Sequence, residues 1–146
     1  MTPSIRPATV ADAPHLAAME EALFSDPWSE GAVASHLSAP HNHALVALSD
    51  DRIVGYCIYS SLLGEAELLR IAVAPELRRC GIARALLSEM LSLTASDTVY
   101  LEVRSQNTPA ITLYERFGFR ANGTRRNYYK NPGDDALLML RTPDNT

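Results

Sequence analysis

The chain is 146 residues long and 47% apolar, enough for one buried core and short of what two domains need. Thirteen Lys and Arg against seventeen Asp and Glu leave a formal charge of −4, the wrong sign for a sequence-independent grip on a phosphate backbone, so direct nucleic-acid binding is not expected. Apolar runs such as Ala44 to Leu48 and Ile71 to Ala74 fall far below the roughly 18 to 20 residues that span a bilayer, so no membrane span is expected.

Met1 to Pro7 hold no apolar stretch behind a basic start, so a secretory signal is not expected either. A short strand around Ile5 opens the chain. Thr9 with Asp12 signals the start of a helix on which Leu16, Met19 and Leu23 share a face, ending before Pro27. Ser29 caps a second helix carrying Val33 and Leu37, stopped by Pro40. His43 to Leu48 and Arg52 to Ser60 read as a hairpin around Ser49-Asp50-Asp51, whose short polar side chains suit a turn. A further strand runs from Glu65 to Val73.

After a loop from Ala74 to Cys80, the segment Gly81 to Leu93 spaces Ile82, Leu86, Leu87 and Met90 as one buried helical stripe, and Thr98 to Val103 is strand again. A strand, crossover helix, strand unit makes its two strands parallel neighbours. Asn107 to Phe117 is a helix closed by Gly118, and strands near Phe119 to Tyr129 and Ala136 to Leu140 follow. The expected architecture is α+β: a mixed, mostly antiparallel sheet of about seven strands with a central parallel strand-helix-strand unit, flanked by helices. One domain is expected over residues 1–141, with a flexible tail over 142–146.

Cys57 and Cys80 lack CxxC spacing, so neither a zinc site nor a redox pair is indicated, and two free thiols fit a reducing, cytoplasmic setting. His41 and His43 alternate as metal ligands do, yet no third ligand accompanies them, and no metal is expected.

The loop from Val73 to Arg84 lies between a buried strand and a helix start. Helix N-termini leave backbone N–H groups unpaired at a positive dipole end, and so hold anions. Gly81 permits close approach to the backbone, Ala83 keeps the next turn open, and Arg78, Arg79 and Arg84 add positive charge. A pyrophosphate fits this pattern; a solvated basic loop that merely caps a helix fits it equally. No Lys-Ser or Lys-Thr follows the glycine and no GxGxxG occurs, so neither a nucleoside triphosphate nor NAD is expected.

Arg78-Arg79-Cys80-Gly81-Ile82-Ala83 resembles the acetyl-CoA signature of the GCN5-related N-acetyltransferase family: Arg or Gln, two residues, Gly, one residue, then Gly or Ala. The resemblance extends to Asn107, Ala110 and Tyr114 ahead of Gly118-Phe119. Pro27-Trp28-Ser29, Leu68 to Val73, Leu101-Glu102-Val103-Arg104 and Arg125 to Tyr129 are similar to the family's bacterial RimI type, which acetylates the N-terminal alanine of ribosomal protein eighteen of the small subunit. Arg78 and Cys80 stand where glutamine is common, and Ala83 where glycine is common; all three keep the backbone N–H donors.

The resemblance implies acetyl-CoA as co-substrate, with its acetyl and pantetheine arm on Ile71, Ala72 and Val73. It implies the pyrophosphate on Arg79, Cys80, Gly81, Ile82, Ala83 and Arg84, with a further bond from Asn107. It also implies the N-terminus of a ribosomal protein as acceptor. Glu102 is flanked by Leu101 and Val103 and so points to the opposite sheet face. Tyr114 lies seven residues after Asn107, two helical turns on and on the same face. Taken alone these are an ordinary strand carboxylate and a packing tyrosine. The resemblance makes Glu102 the base for the incoming ammonium and Tyr114, a phenol of reference pKa near 10, the acid for the leaving thiolate. Cys80 has no paired His, so direct attack on the thioester is expected.

Trp28, Tyr128 and Tyr129 are candidates for the acceptor groove, with at least one of the tyrosine pair expected in the core. A monomer is expected. A small-molecule amine acetyltransferase of the same fold, and a silent acetyl-CoA-binding module, are the alternatives.

Overall fold

Alternating apolar residues build the strands, and turn chemistry sets where they reverse. The computed structural model describes residues 3–143. Its strands are β1 (Ser4–Pro7), β2 (Asn42–Ser49), β3 (Arg52–Leu62), β4 (Glu65–Val73), β5 (Thr98–Arg104), β6 (Arg120–Tyr129) and β7 (Asp134–Arg141). The helices are α1 (Ala13–Leu23), α2 (Glu30–Ser38), α3 (Ile82–Leu93) and α4 (Thr108–Arg116). Residues 144–146 of the expected tail lie outside the described residues. No helix among the described residues is long and apolar enough to cross a membrane.

Local sequence explains the boundaries. The Thr9 amide donates to Asp12 Oδ2 at 2.8 Å and opens a 3-10 turn ahead of α1, while Ser29 Oγ accepts from the Ala32 amide at 3.0 Å and caps α2. Asp50 and Asp51 both take positive φ, 52° and 62°, the turn form whose twist matches the strands of a hairpin.

The seven strands form one sheet in the order β1-β2-β3-β4-β5-β7-β6. Every pairing is antiparallel except β4 with β5, the parallel pair that the crossover through α3 requires. One face packs Leu16, Val33, Val46, Tyr56 and Ile58 with α1 and α2; the other packs Leu45, Cys57, Leu86, Leu87 and Met90 under α3. Gly55 lets α3 sit close, since a Cβ there would lie 3.0 Å from both the Ala72 carbonyl oxygen and Ile82 Cγ2.

The parallel pair is short. β4 and β5 are in register only from Glu65↔Thr98 to Leu68↔Leu101. At that point β4 bulges: Tyr59 faces Leu68 and Ile58 faces Arg70, leaving Leu69 as an extra residue. A bulge bends its strand and sharpens its twist. Beyond it β4 stays with β3 and β5 stays with β7, so the two part into a V, and from Leu69 onward one edge of β4 has no strand beside it among the described residues. The bulge also exchanges faces: Ala66 and Leu68 pack toward α3, and so do Ile71 and Val73, whereas Ala72 packs toward α1 and α2.

Candidate active site

The V opens into a cavity of about 430 Å³ bordered by Leu69, Ile71, Glu102, Asn107, Tyr114 and Tyr129. Strand alternation puts Glu102 there. Leu101 and Val103 are buried under α3, so the carboxylate between them emerges on the other face with its side chain 25% exposed, Oε1 lying 3.4 Å from Arg125 Nε. The negative charge of Glu102 and a hydrogen bond to it hold the Tyr128 phenol above its ordinary value. Across on β4, Glu67 is also raised, first by burial and then by the charge of Glu102, with Arg125 pulling it back. Glu67 and Arg125 were not anticipated from the sequence; their grouping depends on β4, β5 and β6 meeting in space.

Tyr114 reaches the same cavity from α4. It is buried, at 6% exposure, with its ring edge-on to Phe119 at 5.7 Å. Burial, aided by Tyr129 and Cys57, drives its phenol well above the ordinary value. A raised pKa holds the proton on the Tyr114 oxygen to higher pH than in an ordinary phenol and makes Tyr114 a weaker acid than the reference value near 10 implies. Asn107 caps α4, its Oδ1 accepting from the Ala110 amide at 3.3 Å, and still borders the cavity.

The aromatic candidates for the acceptor groove divide. Tyr129 lines the cavity over the Arg104 guanidinium, 4.5 Å from the ring centre, and Tyr128 stands outside at 48% exposure. Neither enters the core, contrary to expectation, because β6 is an edge strand whose register breaks between Arg125 and Tyr129. Trp28 does not line the cavity; it packs on the α1/α2 core, edge-on to His36 at 5.4 Å. Phe24, Ser25 and Asp26 form that wall instead, and nothing in their spacing marked them.

The candidate anion cradle lies at the start of α3. Gly81 takes φ 81° and Arg79 φ 67°, and a Cβ on Gly81 would meet open space. The amides of Ile82, Ala83 and Arg84, in the first helical turn, have no carbonyl partner within the helix. Val73, Arg78, Arg79, Ala83 and Arg84 border a second cavity of about 690 Å³, to which α4 adds Thr112 and Arg116. Cys80 is exposed outside that lining, its Sγ 3.7 Å from the Arg78 carbonyl oxygen.

β4 and α4 both run from one cavity to the other. Ile71 and Tyr114 border the first, Val73 and Leu113 the second. A ligand with a diphosphate at one end and a reactive acyl group at the other fits that path, laid along the unpaired edge of β4.

Valine at position 81 would be forced into a left-handed backbone costing about 1 to 3 kcal/mol and would fill the cradle. Gly81→Val is expected to weaken CoA binding about tenfold or more in calorimetry, with the fold retained by circular dichroism. Unchanged affinity would show that the diphosphate lies elsewhere.

The sequence profile of the acetyltransferase (GNAT) family matches residues 13–119. The chain is 40% identical to the N-alpha-acetyltransferase RimI of Mycobacterium tuberculosis, over 97% of this chain and 96% of that protein. It is 35% identical to the [ribosomal protein bS18]-alanine N-acetyltransferase of Escherichia coli K12, over 88% and 89%. The crystal structure of the ribosomal-protein-S18-alanine N-acetyltransferase from Escherichia coli superposes with a TM-score of 0.89 at 32% identity, covering 96% of this chain and 93% of that one. The signature loop, the split sheet and these likenesses agree: the chain belongs to the GNAT family and is an acetyl-CoA-dependent acetyltransferase.

Proposed function

We propose that this enzyme acetylates the α-amine of an N-terminal alanine, its physiological acceptor being the N-terminus of small-subunit ribosomal protein bS18 in the cytoplasm. One observation carries the chemistry: a carboxylate, Glu102, and a protonated phenol, Tyr114, border the same cavity at the point where β4 loses its neighbour. Relatives whose names carry this acceptor match over 88% to 90% of the chain and support the substrate.

The residue roles follow from what the reaction must move. Glu102 draws the proton from the incoming ammonium, directly or through a water, and so exposes the nitrogen lone pair. Backbone amides on the free edge of β4, at Ile71 to Val73, hold the acyl arm and polarise its carbonyl. The new bond is N–C and the bond broken is C–S; Tyr114 gives its hydroxyl hydrogen to the departing sulfur and is reprotonated by the second hydrogen that the nitrogen sheds as the amide forms, while Glu102 releases the first to solvent. The amides of residues 79–84 hold the pyrophosphate, and Asn107 bonds the same ligand while capping α4. A carboxylate and a phenol both aimed into one cavity argue against a silent binding module.

The acceptor ranking follows from proton chemistry. At pH 7 an α-amine of pKa about 7.8 is about 14% neutral, and a lysine of pKa about 10.4 about 0.04% neutral. A peptide that begins with alanine, carries basic residues and holds an internal lysine is therefore expected to be acetylated at its first nitrogen about 10²-fold faster than at the lysine. Mass spectrometry of the product checks this, and equal labelling of the lysine would reverse the ranking.

A further inference from the structure

A buried polar network reaches the cavity wall at Arg70 and takes no part in the chemistry above. Glu20, on α1, is fully buried. Its carboxylate accepts from the Tyr56 hydroxyl at 2.5 Å, from the Trp28 amide at 3.0 Å, and from Arg70 Nη2 and Nε at 2.9 and 3.2 Å. Arg70 Nη2 also donates to the Asp26 carbonyl oxygen at 2.8 Å, and its guanidinium lies 3.9 Å from the centre of the Phe24 ring. Arg70 thus joins three things: the bulged strand of the reaction centre, a buried anion on α1, and the backbone of residues 24–28.

The β4 bulge makes this possible. Regular alternation from Leu68, which packs toward α3, would send Arg70 to that same side. The extra residue, Leu69, turns Arg70 toward α1 and α2 instead. A buried carboxylate is costly unless it is fully hydrogen-bonded, and here it is met by a hydroxyl, a backbone amide and a guanidinium fork. Those donors come from β3, from the segment after α1 and from β4, so the network is satisfied only when residues 24–28 sit against β4 as they do. Phe24, Ser25 and Asp26 are the part of that segment that walls the cavity.

We infer that Arg70 and Glu20 are positioning residues for the acceptor: they latch residues 24–28 to the bulge of β4 and so set the shape of the acceptor side of the cavity, leaving the acetyl-CoA side untouched. This rests on the acceptor reading proposed above. A lysine at position 70 keeps the charge beside Glu20. It loses the planar fork that reaches Glu20 and Asp26 together, and the flat face against Phe24.

The test uses the full chain and its single tryptophan, Trp28, as a reporter on the latched segment. Arg70→Lys is expected to raise the KM for an alanine-initiated peptide about tenfold, with kcat lowered less and the KM for acetyl-CoA within about twofold of wild type, the pattern of lost substrate positioning. Quenching of Trp28 fluorescence by acrylamide is expected to increase in the same variant. The double substitution Glu20→Gln with Arg70→Gln, which leaves no charge buried alone, is expected to raise the acceptor KM at least as much and serves if the single variant does not fold. An unchanged acceptor KM overturns the inference whatever Trp28 reports, and so does an equal rise in both KM values. If wild type acetylates no alanine peptide, the acceptor reading fails separately, and the latch is then decided by Trp28: greater quenching in Arg70→Lys supports it and unchanged quenching overturns it.

Discussion

Glu102→Gln is expected to lower turnover of an alanine-initiated peptide by about 10²- to 10⁴-fold at neutral pH, the usual worth of a positioned acid or base. The substitution keeps the side chain's size and an oxygen to face Arg125, which lies 3.4 Å from the native carboxylate, so the loss reports the missing base. Below its pKa of about 7.8 the acceptor arrives mostly as an ammonium and needs that base; above it the amine arrives already neutral. The deficit is therefore expected to shrink as pH rises from about 7 to about 9.5. Turnover measured across that range for both proteins checks it, and a deficit independent of pH would remove Glu102 from the proton path.

Tyr114→Phe is expected to behave in the opposite way. Its phenol is held above the ordinary value by burial, which fixes the sign. A raised pKa extends the protonated form to higher pH, so the native donor does not titrate away at or below about pH 10. Loss of the hydroxyl should cost about 10²-fold or more in kcat at low and high pH alike, because raising the pH supplies base but no acid for the sulfur. The ring still meets Phe119 edge-on, so the melting temperature should change little. Both variants should bind acetyl-CoA as wild type does, since the cradle at Gly81 is formed by other residues. Deficits that follow the same pH profile in the two variants would show that the roles of Glu102 and Tyr114 are misassigned.

Much of the molecule was legible in the sequence because it rests on local rules. The seven strands and four helices fall close to where alternation, caps and breakers put them. The boundary residues behave as their chemistry dictates: Ser29 and Asn107 cap, Asp50-Asp51 turns, and Gly81 and Gly118 take left-handed conformations. The parallel pairing of β4 with β5 follows from connectivity and handedness. The loop from Arg78 to Ala83 could be read as a phosphate cradle because a helix N-terminus with a left-handed glycine presents its amides wherever it occurs.

What remained hidden depends on residues distant in sequence. The bulge at Leu69 leaves no local mark, since Leu68, Leu69 and Arg70 read equally well as regular strand; it exists only against β3, where Tyr59 faces Leu68 and Ile58 faces Arg70. From it follow the turning of Arg70 toward Glu20 and the parting of β4 from β5. Strand order and register likewise put Arg125 near Glu102: β7 inserts between β5 and β6 and pairs Leu138 with Glu102 on one side and with Gly123, two residues before Arg125, on the other. Trp28 was misjudged for a related reason: its apolar ring finds the α1/α2 core, and the segment just before it becomes the wall. By itself the sequence determined the elements, their caps and the left-handed glycine at the start of α3, because those are set by backbone sterics and short-range hydrogen bonds. The tertiary structure alone decided which side chains share the cavity between β4 and β5, because that depends on long-range register and on where buried charge finds its partners.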